Sequence, residues 1–135
     1  MKKFSERELA FMNQESVGRM AQMGTDAMPH VTPLCYACTE RAIYIDTSSN
    51  SWKIRNLITA PEVAFVVDEY FEDWDKLKGI RMLGKAEVLA DGDDYEIGKV
   101  LLFQKYPEQM KNKGWVDGNE VVIKINLTTI TSWGL

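Results

Sequence analysis

Apolar and polar positions alternate along much of the chain with the two-residue period of a β-strand. The clearest case is residues 121–132, where the apolar positions recur at every second residue up to 127. Residues 63–67 are apolar on both faces, which predicts a central strand. Pro33 interrupts the second segment and predicts an edge or a bulge there. Six strands are predicted in all: 18–23, 29–38, 42–47, 63–67, 80–89 and 121–132.

Three other segments have helical features. Ser5 followed by Glu8 has the spacing of a capping box, which predicts a helix that continues to Asn13. Apolar residues at 54, 57 and 58 predict a second helix over 52–59, which ends before Pro61. A third helix is expected over about 91–106. Six strands and few helices favour a mainly β fold, an antiparallel barrel that is closed or nearly closed.

Composition narrows the class of protein. The chain has 135 residues, of which 45% are hydrophobic and 27% charged, which suits one domain over residues 1–135. The net charge of −4 argues against nucleic-acid binding, which usually requires a basic face. No apolar run approaches the ~18 residues of a membrane helix, and the charged start lacks the apolar stretch of a signal peptide. We therefore expect a cytoplasmic protein without a membrane partner.

The two cysteines form a Cys-x-x-Cys sequence, which occurs in redox dithiols and in halves of zinc sites. Cys35 and Cys38 fall on the predicted second strand, where their odd spacing directs the side chains to opposite faces. There is no second cysteine pair, and His30 is the only histidine. The favoured interpretation is two buried thiols without a chemical role and no metal site.

The most informative segment is Thr47–Asn56, where hydroxyl side chains lie between a predicted strand and a predicted helix. The unpaired N–H groups at the start of a helix favour an anion, and Lys53 and Arg55 add two cations. This combination indicates a phosphate site. The alternative is a serine-capped helix whose basic residues are only solvated.

Several segments together resemble a known family. They are the strand His30-Val31-Thr32-Pro33, the Ser51-x-Lys53 pattern, the helix that starts at Ile54, and the acidic aromatic run 67–74 followed by Arg81-x-x-Gly84. In this order they resemble the pyridoxamine 5′-phosphate oxidase-like superfamily, close to a branch of probable deazaflavin (F-420)-dependent enzymes. The resemblance implies a six-stranded antiparallel split β-barrel of the FMN-binding type.

The resemblance also implies a cofactor site between the two subunits of a homodimer. The phosphate would be held after the third strand, and the ring would lie along the second strand. Arg81 and Trp133 are further candidates for lining the pocket. The residues implied for the phosphate end are Thr47, Ser48, Ser51, Trp52, Lys53, Arg55 and Asn56, and those for the ring are His30, Val31, Thr32 and Pro33.

The implied activity is oxidoreduction of an unknown small-molecule substrate by hydride transfer, in which the cofactor carries the chemistry. FMN is favoured over the deazaflavin because the sequence beyond Arg55 becomes acidic at 68–75. The chain ends Ser132-Trp133-Gly134-Leu135, unlike true pyridoxamine phosphate oxidases, so vitamin B6 synthesis is not implied. No catalytic side chain is identified; His30 is a conceivable base, but more often such a histidine lies at a strand edge near a ligand. A flavin carrier or sensor without turnover, or a barrel without flavin, are the alternatives.

Overall fold

The fold is a single curled antiparallel sheet with helices packed around it, seen in a computed structural model that describes residues 2–135. Among these residues, no helix is both long enough and apolar enough to cross a bilayer. The strands are β1 Gly18–Met23, β2 Pro29–Leu34, β3 Ala37–Cys38, β4 Ala42–Ser48, β5 Glu62–Glu69, β6 Lys78–Leu89 and β7 Glu120–Trp133. The helices are α1 Glu6–Gln14, α2 Trp52–Thr59, α3 Asp93–Lys105 and α4 Pro107–Lys113, with a 3₁₀ turn at Trp74–Lys76.

The strands lie in the order β2-β1-β5-β6-β7-β4-β3, so β2 and β3 are at opposite edges although they are neighbours in the chain. The sheet curls into a half-barrel, as expected for a split barrel. The prediction of six strands was wrong, because residues 29–38 form two strands and the structure has seven. The break falls at Cys35 and Tyr36, where the chain leaves one edge and crosses to the other.

A tyrosine from α3's end holds this crossing in place. The Tyr36 N–H donates to Tyr106 Oη at 3.0 Å, and the Tyr106 hydroxyl lies 2.8 Å from the carbonyl oxygens of Tyr36 and Ser16. The side chain of Tyr106 therefore takes the place of a neighbouring strand for the backbone of residue 36. The partners are 70 residues apart in sequence, so local pattern did not predict the break.

The core fills the inner face of the sheet. Met20, Phe65, Ile80 and Ile123 are at most 1% exposed and come from four different strands. Helix α1 closes one end of this core through Phe11 and Met12, and its predicted capping box is confirmed. The main cluster of buried side chains is Phe4, Phe11, Met12, Met20, Tyr36, Cys38, Ile43, Ile45, Ile54, Leu57, Val63, Phe65, Val67, Ile80, Met82, Ala86, Val121, Ile123, Ile125 and Leu127.

The predicted third helix is two helices in the structure. Helix α3 ends at Lys105, and Pro107 starts α4, a position that proline favours because its missing N–H has no partner in the first turn. Gly114 ends α4 in the left-handed conformation with φ 69°. The proline and glycine are the sequence signal that would have revealed this extra helix.

Candidate functional site

The first turn of α2 has the features of an anion site. Ser51 occupies the N-cap, but its side chain caps no N–H group; its Oγ instead accepts a hydrogen bond from Thr47 Oγ1 at 3.1 Å. The first turn contains no acidic residue and carries the cation Lys53, with Arg55 just beyond it. Positive charge at the positive end of a helix is unfavourable, so this arrangement favours a bound anion.

The loop that leads into α2 is held by its own hydrogen bonds. Ser48 Oγ donates to Asn50 Oδ1 at 2.6 Å, and the Ser51 N–H donates to the Ser48 carbonyl at 3.0 Å. The Ser49 N–H donates to the carbonyl of Asn119, just before β7, at 2.9 Å. The loop conformation is therefore fixed before any ligand binds, and it presents the hydroxyl groups of residues 47–51 beside the helix end.

Polar groups beneath α2 attach it to β1 and to the turn that follows. Gln22 is 4% exposed, and its Nε2 donates to the Lys53 carbonyl at 3.3 Å. Gln22 Oε1 is buried and has no hydrogen-bond partner within residues 2–135. The Thr25 N–H donates to Asn56 Oδ1 at 3.1 Å. The start of α2 is thus fixed relative to the β1–β2 hairpin and lies over a polar patch of the core.

The β1–β2 turn and α2 border an open cavity of about 260 Å³, lined by Thr25, Asp26, His30, Trp52 and Asn56. The ring centroids of His30 and Trp52 are 5.3 Å apart with the planes inclined at 53°. His30 Nε2 lies 3.0 Å from Asp26 Oδ1. The His30 hydrogen bond lowers the pKa of the Asp26 carboxyl, with a further contribution from the Met28 N–H.

A second, apolar groove of about 490 Å³ lies across strands β1, β5 and β6. It includes Met23, Pro29, Ala64 and Leu83, side chains that face away from the core. Nearby Val31 is 68% exposed, an unusual environment for a valine on an edge strand. The outer face of the sheet therefore presents an apolar surface beside the polar cavity.

The predicted site residues fall into three groups. His30, Trp52 and Asn56 line the cavity, and Lys53 Nζ lies 5.6 Å from the centroid of the Trp52 ring. On β2, residues 31 and 33 are the exposed positions, whereas residues 30 and 32 are half-buried on the other face. The predicted phosphate residues lie at the end of β4 and on α2: Thr47 and Ser48 end β4, Ser51 is the N-cap, and Trp52, Lys53, Arg55 and Asn56 lie on α2. The predicted ring residues, His30, Val31, Thr32 and Pro33, lie on β2, and the His30 ring is next to the Trp52 ring.

Arg81 and Trp133 lie elsewhere in this chain. Arg81 is exposed on β6 opposite Val66 and Thr131, and Trp133 packs over Gly79 at the far end of β7. Sequence reasoning missed Gln22 and Asp26, which contact the same helix and cavity. Asp26 lies between the predicted strands 18–23 and 29–38, four residues before the only histidine, and this spacing is the one signal that pointed to it.

The donor set fits the phosphate group of a flavin. The first turn of α2 offers N–H groups without a side-chain cap, the cation Lys53 and the Ser51 hydroxyl, and no carboxylate lies in that turn. Phosphate monoesters are held in proteins by this combination of charge-assisted and backbone hydrogen bonds.

Sequence comparison relates this chain to known proteins. The family model described as pyridoxamine 5′-phosphate oxidase matches residues 4–134. A 5a,11a-dehydrotetracycline/5a,11a-dehydrooxytetracycline reductase from Streptomyces rimosus is 28% identical over 94 residues, and the match spans 66% of each chain, just under two thirds of that protein.

Solved structures show the same fold. A conserved hypothetical protein from Mycobacterium tuberculosis is 25% identical with a TM-score of 0.80, covering 96% of this chain and 84% of that one. An FAD-binding protein from Mesorhizobium loti has 22% identity and a TM-score of 0.74, covering 97% and 95%. A heme storage protein from Vibrio cholerae has 14% identity and a TM-score of 0.76, covering 98% and 94%.

Proposed function

Because this chain belongs to the pyridoxamine 5′-phosphate oxidase family, we propose that it is an FMN-binding oxidoreductase that transfers hydride to or from a small substrate. The observation that carries the proposal is the first turn of α2, which contains Lys53, N–H groups without a side-chain cap and no acidic residue. A phosphate bound there balances the local positive charge. The reductase from Streptomyces rimosus supports redox chemistry over binding alone.

When bound, FMN supplies the hydride donor and acceptor. Lys53, Ser51 and the backbone N–H groups of α2 hold the phosphate. Trp52 is 43% exposed and forms an aromatic wall beside the cavity. The role of the protein is to hold and orient the cofactor and to limit the access of water to the reacting atoms.

The proposal includes a homodimer with the cofactor at the subunit interface. Its support is the apolar groove on the outer face, together with the exposed side chains of Met23, Met28 and Val31 beside it. A second copy would bury this surface and would bring Arg81 and Trp133 near the cofactor of its partner. Sedimentation at micromolar concentration tests this, and a monomer that holds FMN tightly would contradict it.

Fluorescence titration of FMN into cofactor-free protein tests the cofactor site. A charge-assisted hydrogen bond is worth roughly 1.5–3 kcal/mol, so the Lys53→Ala substitution should weaken FMN binding by about tenfold to a hundredfold. Lys53→Arg should have a smaller effect, because a guanidinium keeps the charge but changes the geometry. The matched control is Lys111→Ala, which removes an exposed lysine from α4 and should leave the affinity for FMN unchanged.

Two results would contradict the proposal. Equal FMN affinity in Lys53→Ala and the wild type would mean that the phosphate does not bind at this helix. Clearly tighter binding of the F-420 deazaflavin in the same titration would mean that the deazaflavin, and not FMN, is the cofactor. FMN binding without turnover on a panel of electron donors and acceptors would instead identify a carrier or sensor.

A further inference from the structure

We infer that His30 is a catalytic proton donor and that Asp26 is the residue that positions it, so that the protein reduces polarised double bonds. This inference rests on the proposed function, because the hydride must come from the reduced cofactor. It adds to that function a side chain with acid–base chemistry and a class of substrate, polarised double bonds, whose reduction takes up one hydride and one proton.

The geometry fixes the roles of the two ring nitrogens. His30 Nε2 lies 3.0 Å from Asp26 Oδ1 and 3.2 Å from Oδ2. Because a carboxylate only accepts, this nitrogen carries the hydrogen atom and donates a hydrogen bond to Asp26. Nδ1 has no hydrogen-bond partner in the part of the chain that the structure describes. Nδ1 is therefore the nitrogen that is available to exchange a proton with a bound molecule.

The turn is built to hold this pair. A Cβ atom on Gly24 would lie 2.3 Å from Asp26 Oδ1 and 2.5 Å from His30 Nε2, so only glycine leaves room for the contact. Ala27 adopts φ 64°, the one positive φ at a non-glycine residue within 2–135. An alanine in this conformation is strained, and strain of this kind is concentrated at functional sites. Asp26 Oδ1 also accepts from the Met28 N–H at 3.1 Å.

The pair faces the cavity rather than open solvent alone. His30 and Asp26 line it together with Trp52, whose ring is the aromatic neighbour of the imidazole. The residue opposite His30 on β1 is the uncharged Gln22. On α2, the charged group nearest to His30 is Lys53, whose Nζ lies over the Trp52 ring. Among the described residues, Asp26 is the only carboxylate that contacts the imidazole.

The proposed step conserves electrons and protons. When bound, a reduced flavin would supply the hydride to the electron-poor end of a polarised double bond. His30, carrying a proton on both ring nitrogens, would donate the Nδ1 proton to the anion formed at the other end of that bond and would regain a proton from water. The substrate would gain two electrons, which the reduced flavin would lose.

The variant His30→Gln separates proton donation by residue 30 from a structural role. His30→Gln keeps an N–H group that can reach Asp26 but has no titratable nitrogen. With photoreduced FMN at saturation and 2-cyclohexen-1-one as the probe, we expect its single-turnover rate to fall about a hundredfold, the usual size of general acid catalysis.

A second readout requires no cofactor. Because His30 is the only histidine, two-bond ¹H–¹⁵N spectra of the cofactor-free protein report which of its ring nitrogens carries the proton. We expect one form, protonated at Nε2, in the wild type and a mixture of both in Asp26→Ala. Glu72→Ala, which removes an exposed carboxylate from another loop, is the matched control and should match the wild type.

The possible failures are distinguishable. If FMN does not bind, the proposed function fails, and the spectra still test the pairing of Asp26 with His30. If FMN binds and the alkene is reduced equally well by His30→Gln, the proton donor is not His30 and the inference is overturned. Identical ring spectra in wild type and Asp26→Ala would overturn the positioning role of Asp26.

Discussion

Replacing Tyr106 with phenylalanine should destabilise the whole barrel although it removes a single oxygen atom. The Tyr106 hydroxyl accepts the Tyr36 N–H at 3.0 Å and lies 2.8 Å from two carbonyl oxygens. Burial raises the pKa of Tyr106 to about 12, so the hydroxyl keeps its proton and can donate at any ordinary pH. Tyr36 is fully buried, so in Tyr106→Phe its N–H would lose its partner without gaining water.

An unsatisfied buried donor costs about 1–3 kcal/mol, and the lost bond to a carbonyl oxygen adds about 1 kcal/mol. We therefore expect Tyr106→Phe to lower the free energy of unfolding by roughly 2–4 kcal/mol, which for a domain of this size is about 8–15 °C in Tm. Urea unfolding followed by tryptophan fluorescence measures it.

The matched control for this prediction is Tyr44→Phe. Tyr44 is 2% exposed, but its hydroxyl has no hydrogen-bond partner among residues 2–135. That substitution should change the stability by less than about 0.5 kcal/mol. If Tyr106→Phe were no more destabilising than Tyr44→Phe, the bond to Tyr36 would not hold the crossing between the sheet edges, and the reasoning would be refuted.

Two further predictions concern backbone approach and acid stability. Gly84→Ala should lower the urea midpoint strongly, because a Cβ atom there would lie 2.4 Å from the backbone oxygen of Asn126 at the bulge between β6 and β7; an unchanged midpoint would contradict this. A hydrogen bond from Tyr95, and then ones from Trp115 and Lys99, lower the pKa of Asp117. The stabilisation from the ionised Asp117 is present above pH 3.8, the ordinary pKa, and is lost as pH falls through the lower pKa of the folded state. Acid should therefore lower the free energy of unfolding more in the wild type than in Asp117→Asn. Unfolding curves from about pH 5 to pH 2 measure the difference.

Much of the fold was predictable because local chemistry determines it. The capping box at Ser5 and Glu8, the helix before Pro61 and the alternation in β7 each correspond to an element in the structure. Each of these signals is formed by residues that lie close together in the sequence. The edge position that Pro33 indicated is also confirmed, since β2 has a neighbour on one side only.

The errors arose where distant residues decide the local conformation. Residues 29–38 have a continuous strand pattern, but Tyr106 binds the backbone of residue 36 and ends the pairing. The prediction of two buried thiols is wrong for Cys35, which is exposed because it lies in the crossing between β2 and β3, whereas Cys38 is buried on β3. In the candidate site, the helix end was evident from the sequence, whereas the contact of Gln22 with Lys53 depends on how α2 packs against β1.

The position of β7 has a consequence for how the chain folds. This strand follows β4 and β6 in sequence, yet it lies between them and connects the two parts of the sheet. Before β7 pairs, β4 has no neighbour on its inner side and one edge of β6 is unpaired. The two parts of the sheet can therefore join only through pairing between residues that are far apart in sequence, which slows folding and leaves strand edges exposed while the sheet forms.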